Sequence, residues 1–275
     1  MTIPVLISVD DLRAADAVLL DVRWALGDHN GHRHYLAGHI PGAVFVDLDA
    51  DLAAPASAAA GRHPLPSLPD LQSAARRWGV NDGDAVVVYD ATGGMAAARA
   101  WWLLRWGGLP DVRILDGGLP AWREAGGELH RGPETRPPGD VELPGSGMLT
   151  IDTDTAASWP SCGVLLDARA GERYRGEQEP VDPRAGHIPG AVSAPTSENL
   201  DETGHFASAD TLKARFAAID ADVPVAVYCG SGVTAAHEIA ALAIAGIEAS
   251  LYPGSWSQWS NDEARPLEVQ QVERF

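Results

Sequence analysis

Short apolar runs recur along the chain, each closed by a polar residue or a cysteine: Leu19-Leu-Asp-Val-Arg23, Ala85-Val-Val-Val-Tyr-Asp90, Leu165-Leu-Asp-Ala-Arg169 and Val225-Ala-Val-Tyr-Cys229. None alternates strictly between apolar and polar, so each predicts a strand buried on both faces. Segments with helical spacing, such as Met95 to Trp106 and Ala235 to Ala245, lie between them. Strands that alternate with helices predict parallel pairing through helical crossovers. The expected class is therefore α/β, with mainly parallel sheets covered by helices on both faces.

The pattern occurs twice. Leu19-Leu-Asp-Val-Arg23 returns as Leu165-Leu-Asp-Ala-Arg169, and Gly38-His-Ile-Pro-Gly-Ala43 returns as Gly186-His-Ile-Pro-Gly-Ala191. Asp116-Gly-Gly-Leu-Pro-Ala-Trp122 is answered by Pro253-Gly-Ser-Trp-Ser-Gln-Trp259. Each copy is domain-sized. The segment from Arg131 to Gly147 is rich in proline and glycine, as a linker is. The expected organisation is a first domain over 1–130, a linker over 131–147 and a second domain over 148–275. His39 and His187 occur in both copies, which assigns them to the turn entering a strand. The nine tryptophans are expected as core and interface fillers.

Composition narrows the function classes. Of 275 residues 45% are hydrophobic and 21% charged, ordinary for a globular protein with a sizeable core. A formal net charge of -18 opposes binding to nucleic acid and to anionic membranes. Two cysteines, Cys162 and Cys229, make a disulfide framework implausible and fit a reducing compartment. The start of the sequence carries no basic stretch followed by a long apolar one, and no segment reaches membrane-spanning length. A cytoplasmic protein is expected. The histidines form no ligand set with the cysteines, so neither a metal nor a cofactor is expected.

The candidate chemistry lies at Cys229. It ends a strand and opens Cys229-Gly230-Ser231-Gly232-Val233-Thr234, whereas the first copy has Asp90 at the matching place. A strand that stops at a cysteine before a glycine loop and a helix would surround the sulfur with backbone N–H groups, which favours a thiolate nucleophile. Gly230 and Gly232 let the backbone curl around it. Cys162, in Ser161-Cys162-Gly163, reads as a small buried hydrophobe. A cysteine phosphatase or arsenate reductase needs an arginine six residues after its cysteine, and here that residue is Ala235. A nucleotide-binding loop lacks its lysine and full glycine fingerprint.

The paired motifs and the single cysteine loop resemble tandem-domain rhodanese-like sulfurtransferases over nearly the whole chain. The loop is most similar to the 3-mercaptopyruvate branch. The thiosulfate branch carries basic residues just after the cysteine, where this chain has Gly230 and Ser231. The resemblance implies a first domain that has lost its nucleophile and a second that forms a persulfide on Cys229. Sulfur would pass from 3-mercaptopyruvate to cyanide or to a thiol acceptor such as a thioredoxin-like protein. It further implies a relay of Ser231, His63 and Asp49, with the acid and histidine coming from the first domain. Arg173 is implied as a substrate-facing arginine, and Arg184 as a second one that binds the substrate carboxylate. Thiosulfate as donor, and a non-catalytic sulfur-carrier or binding module, are the alternatives.

Overall fold

The duplicated apolar runs form the centres of two parallel sheets. A computed structural model describes residues 3–145 and 147–269; Met1 and Thr2, Ser146 of the expected linker, and 270–275 of the expected second domain lie outside the described residues. In the first sheet β1 (Leu6–Ile7), β2 (Val18–Asp21), β3 (Val44–Phe45), β4 (Val86–Tyr89) and β5 (Val112–Leu115) run in the order β1-β5-β4-β2-β3. In the second, β6 (Val164–Asp167), β7 (Val192–Ser193), β8 (Val225–Tyr228) and β9 (Ala249–Leu251) run in the order β7-β6-β8-β9. Every pairing is parallel. A parallel bridge from Thr150 to Leu251 stands where β1 pairs with β5, so both sheets follow one order.

All four residues of β4 and all four of β8 are buried, as unbroken apolar runs require. The expected helices follow these strands, over Ala97–Trp106 and Thr234–Ala245. The second is apolar almost all round and buried from Ala235 to Leu242, the pattern of a core helix. It stops at Gly246, whose φ of 87° closes the last turn in the left-handed conformation that glycine accepts.

The two repeated motifs act together in each copy. Arg23 forks onto Asp21 at 3.0 and 2.6 Å and reaches the Gly38 carbonyl at 3.2 Å. Arg169 does the same on Asp167 at 3.0 and 2.6 Å, and on the Gly186 carbonyl at 2.7 Å. A bidentate pair of this kind fixes orientation as well as charge. His39 Nδ1 lies 3.0 Å from the Tyr35 carbonyl and His187 Nδ1 2.8 Å from that of Tyr174, each imidazole stacked on the same tyrosine ring. The Ile40 and Ile188 N–H groups donate to the buried hydroxyls of Tyr89 and Tyr228. His39 and His187 are thus structural in both copies.

By packing, the chain divides into two compact units that do not follow the sequence copies strictly. One contains Met1–Ala54, Leu65–Met148 and Leu200–Phe206; the other contains Pro55–Pro64, Leu149–Asn199 and Ala207–Phe275. Most of the segment expected as a linker packs on the first unit: Val141 is fully buried, its N–H donates to Val80, and its carbonyl accepts Arg76 Nε at 2.9 Å. Among the described residues no helix is long and apolar enough to cross a membrane.

Candidate active site

β8 delivers Cys229 to the start of the loop, and the chain curls through Val233 into the helix Thr234–Ala245. The Gly232 N–H donates to Cys229 Sγ at 3.1 Å, with Gly232 at a φ of 78°. A fixed N–H aimed at sulfur at a helix entrance stabilises negative charge there. The segment after β9 braces the loop from behind. Cys229 N–H donates to Ser255 Oγ, and the carbonyls of Cys229 and Gly230 accept from Trp256 and Ser257 at 2.9 and 2.8 Å. Ser255 has a φ of 53°, the sole positive value on a non-glycine residue among those described. Such strain persists where surroundings over-determine it, and its hydroxyl is held here by the Tyr252 carbonyl and the Cys229 amide.

Ser231 is buried in the loop, and its Oγ lies 2.8 Å from His63 Nδ1. His63 was expected from the first domain, yet by packing it belongs to the second unit through Pro55–Pro64. That segment is tied down by Arg62 N–H on Ser257 Oγ and by Gln258 Nε2 on the Ala59 carbonyl. Gly61 makes the approach possible, because a Cβ there would sit 2.8 Å from both the Gly254 oxygen and Ser257 Oγ. Asp49 lies in the first unit, exposed in the helix Leu48–Asp51 that Asp47 caps.

Two arginines stand beside Gly230. A Cβ on Gly230 would lie 2.9 Å from Arg62 Nη2 and 3.4 Å from Arg173 Nη1. Arg173 was expected here; Arg62 was missed, since nothing near it in the sequence marks a partner 120 residues away. Arg62 and Arg173 both pair with Asp182, the latter at 3.1 Å, and Arg173 also pairs with Glu179 at 2.6 Å. Burial pushes the Asp182 carboxyl up while Arg62 pulls it down. Arg184 is elsewhere engaged. Its guanidinium donates to the carbonyls of Trp259, Ser260, Asp262 and Arg265, which engages four of its five N–H groups and leaves one Nη1 donor for the carboxylate it was expected to bind.

At the matching station of the first unit the Asp90 carboxylate accepts four backbone N–H groups. Thr92 and Gly94 donate to one oxygen at 2.8 and 2.9 Å, and Ala96 and Ala97 to the other at 2.8 and 3.0 Å. Cys162 is exposed, where the sequence suggested burial. It precedes β6, whereas Cys229 follows the β8 residue paired with the last residue of β6. Roughly 13 Å of strand therefore separates the thiols, well beyond the ~7 Å Cα limit for a disulfide. Among the described residues no cluster of histidine, cysteine and carboxylate side chains could hold a metal.

The rhodanese-like domain model matches residues 8–125 and 152–262. SseB of Mycobacterium tuberculosis, provisionally named a thiosulfate sulfurtransferase, is 48% identical over 93% of this chain and 92% of its own length. A Pseudomonas aeruginosa relative provisionally named a 3-mercaptopyruvate sulfurtransferase is 47% identical over 93% of each chain. The solved structure of Escherichia coli SseA, described as a 3-mercaptopyruvate sulfotransferase, aligns with a TM-score of 0.81 at 34% identity, covering 92% of this chain and 99% of that one. With its duplicated motifs, parallel sheets and single cysteine loop, the chain belongs to the rhodanese family as a tandem of two rhodanese-like domains.

Proposed function

We propose that the protein is a sulfurtransferase that takes sulfur from 3-mercaptopyruvate, holds it as a persulfide on Cys229 and passes it to a thiol or to cyanide. The observation that carries this reading is the Cys229 loop itself, with an N–H on the sulfur and the Ser231–His63 pair beside it. The Cys229 thiolate attacks the donor's sulfur, the carbon–sulfur bond breaks, and its electron pair leaves as the enolate of pyruvate. Ser231 and His63 carry the donor's thiol proton to the enolate carbon, leaving pyruvate and an enzyme persulfide anion. An acceptor thiolate or cyanide then attacks the terminal sulfur and regenerates the Cys229 thiolate. Asp49 is proposed as the acid that orients His63, and Arg173 with Arg62 as the cations for the donor's carboxylate. Gly230, Gly232, Val233 and Thr234 shape the loop.

A thioredoxin-like protein is one candidate acceptor. The provisional name of the mycobacterial relative favours thiosulfate as the second donor reading. Mass spectrometry of the Cys229 peptide after exposure to each donor decides between them. Gain of one sulfur atom from mercaptopyruvate far faster than from thiosulfate is expected. The reverse order overturns the donor, and no gain from either overturns the enzyme reading.

A further inference from the structure

The cations beside Gly230 do not present a simple positive patch. Arg62 and Arg173 close on one carboxylate, Asp182, whose side chain is 3% exposed. Arg173 is held again by Glu179, Glu179 by Arg169 at 3.3 Å, and Arg169 by Asp167. Three guanidinium groups thus alternate with three carboxylates in an unbroken chain, formally neutral in sum. Meanwhile Arg62 Nη2 and Arg173 Nη1 meet no acceptor among the described residues, and Arg62 Nε is buried without a partner. Free donor edges face Gly230 on a network that has no surplus positive charge.

The free donor edges and the neutral network favour different ligands to different degrees. A single carboxylate can take the free edges as hydrogen bonds without needing a surplus cation. A compact dianion brings a second negative charge close to Asp182 and Glu179, and in a site shielded from water like charges repel strongly. The loop adds no cation, since its next residues are Gly230 and Ser231.

We propose that Asp182 is a specificity-determining residue of the sulfur-donor site: by pairing with both Arg62 and Arg173 it cancels their excess charge and selects monoanionic donors against dianionic ones. This rests on the proposed sulfurtransferase reading. It assigns donor choice to an acid on the segment before the second Gly-His-Ile-Pro-Gly motif, not to the loop alone.

The test is the ratio of kcat/KM for thiosulfate to that for 3-mercaptopyruvate, in the wild type, Asp182→Asn, Arg62→Gln and the exposed control Glu177→Gln. Asp182→Asn should raise the ratio roughly tenfold or more, and Arg62→Gln should lower it, with the control unchanged. An unchanged or lower ratio in folded Asp182→Asn overturns the proposal. So does an unchanged or higher ratio in Arg62→Gln, which decides alone if Asp182→Asn does not fold. Calorimetric titration of Cys229→Ser with thiosulfate, with and without Asp182→Asn, asks the charge question without turnover. Tighter binding in the double variant supports the proposal and equal or weaker binding overturns it. Failure of the wild type to load sulfur from either donor overturns only the sulfurtransferase reading.

Discussion

His63 Nδ1 stands 2.8 Å from Ser231 Oγ although 168 residues separate them in sequence. If the pair moves one proton as a unit, its members should not add. Ser231→Ala and His63→Gln are each expected to slow loading of Cys229 by mercaptopyruvate by roughly 10²-fold or more, and the double variant little further. Single-turnover kinetics checks this, and multiplicative losses would show that the residues act separately. Asp49→Asn in the same assay should slow loading less than His63→Gln, since an orienting acid acts through the histidine.

Arg184 and Arg173 are expected to fail in different ways. Arg184 ties the carbonyls of Trp259, Ser260, Asp262 and Arg265, so Arg184→Ala should lower the unfolding midpoint while leaving the KM for mercaptopyruvate near that of the wild type. Arg173→Gln should raise KM. A raised KM in Arg184→Ala with no loss of stability would return that arginine to the donor site.

Asp90 satisfies four N–H groups with one carboxylate, which makes it an internal anion for its own loop. Asp90→Ala should destabilise the first unit by about 2–4 kcal/mol, read by denaturant unfolding, because buried donors lose their acceptors. Loading of Cys229 by mercaptopyruvate should persist in the folded protein. A stability equal to the wild type would mean that water replaces the carboxylate without loss.

Glu238, fully buried on the helix that follows the cysteine loop, accepts Asn199 Nδ2 at 2.6 Å. Burial pushes its carboxyl from 4.5 to about 7, opposed by the charge of Arg215. Because the folded value is raised, the favourable contribution is complete below about pH 4.5 and is lost as pH rises to about 7. Urea unfolding of the wild type and of Glu238→Gln across that window should diverge by on the order of 3 kcal/mol, the wild type losing more. Parallel curves would mean that Glu238 is ionised throughout.

Much of the fold was legible in the chain. Unbroken runs such as Val86-Val-Val88, alternating with helical segments, suited doubly buried strands, and the repeated motifs announced two α/β domains. Cys229 was legible because a strand, a cysteine and a glycine loop are adjacent in sequence. Arg62 was not, since its pairing with Asp182 spans 120 residues and leaves no local period. The carbonyl partners of Arg184 were hidden for a related reason: an arginine's acceptors can be backbone carbonyls, which no side-chain pattern reveals. Within the segment 131–147, expected as a linker, proline and glycine content does not disclose that Val141 is buried.

The grouping of Pro55–Pro64 with the unit of Ser231 has a genetic consequence. A coding sequence divided at the segment 131–147 would yield one product with the thiol but without His63 and Arg62, and another with those residues but no sulfur to act on. On the proposed roles of His63 and Arg62, the copy that carries Asp90 in place of the nucleophile is still required by the copy that carries the thiol. With those roles, a single reading frame keeps the thiol and its partners together.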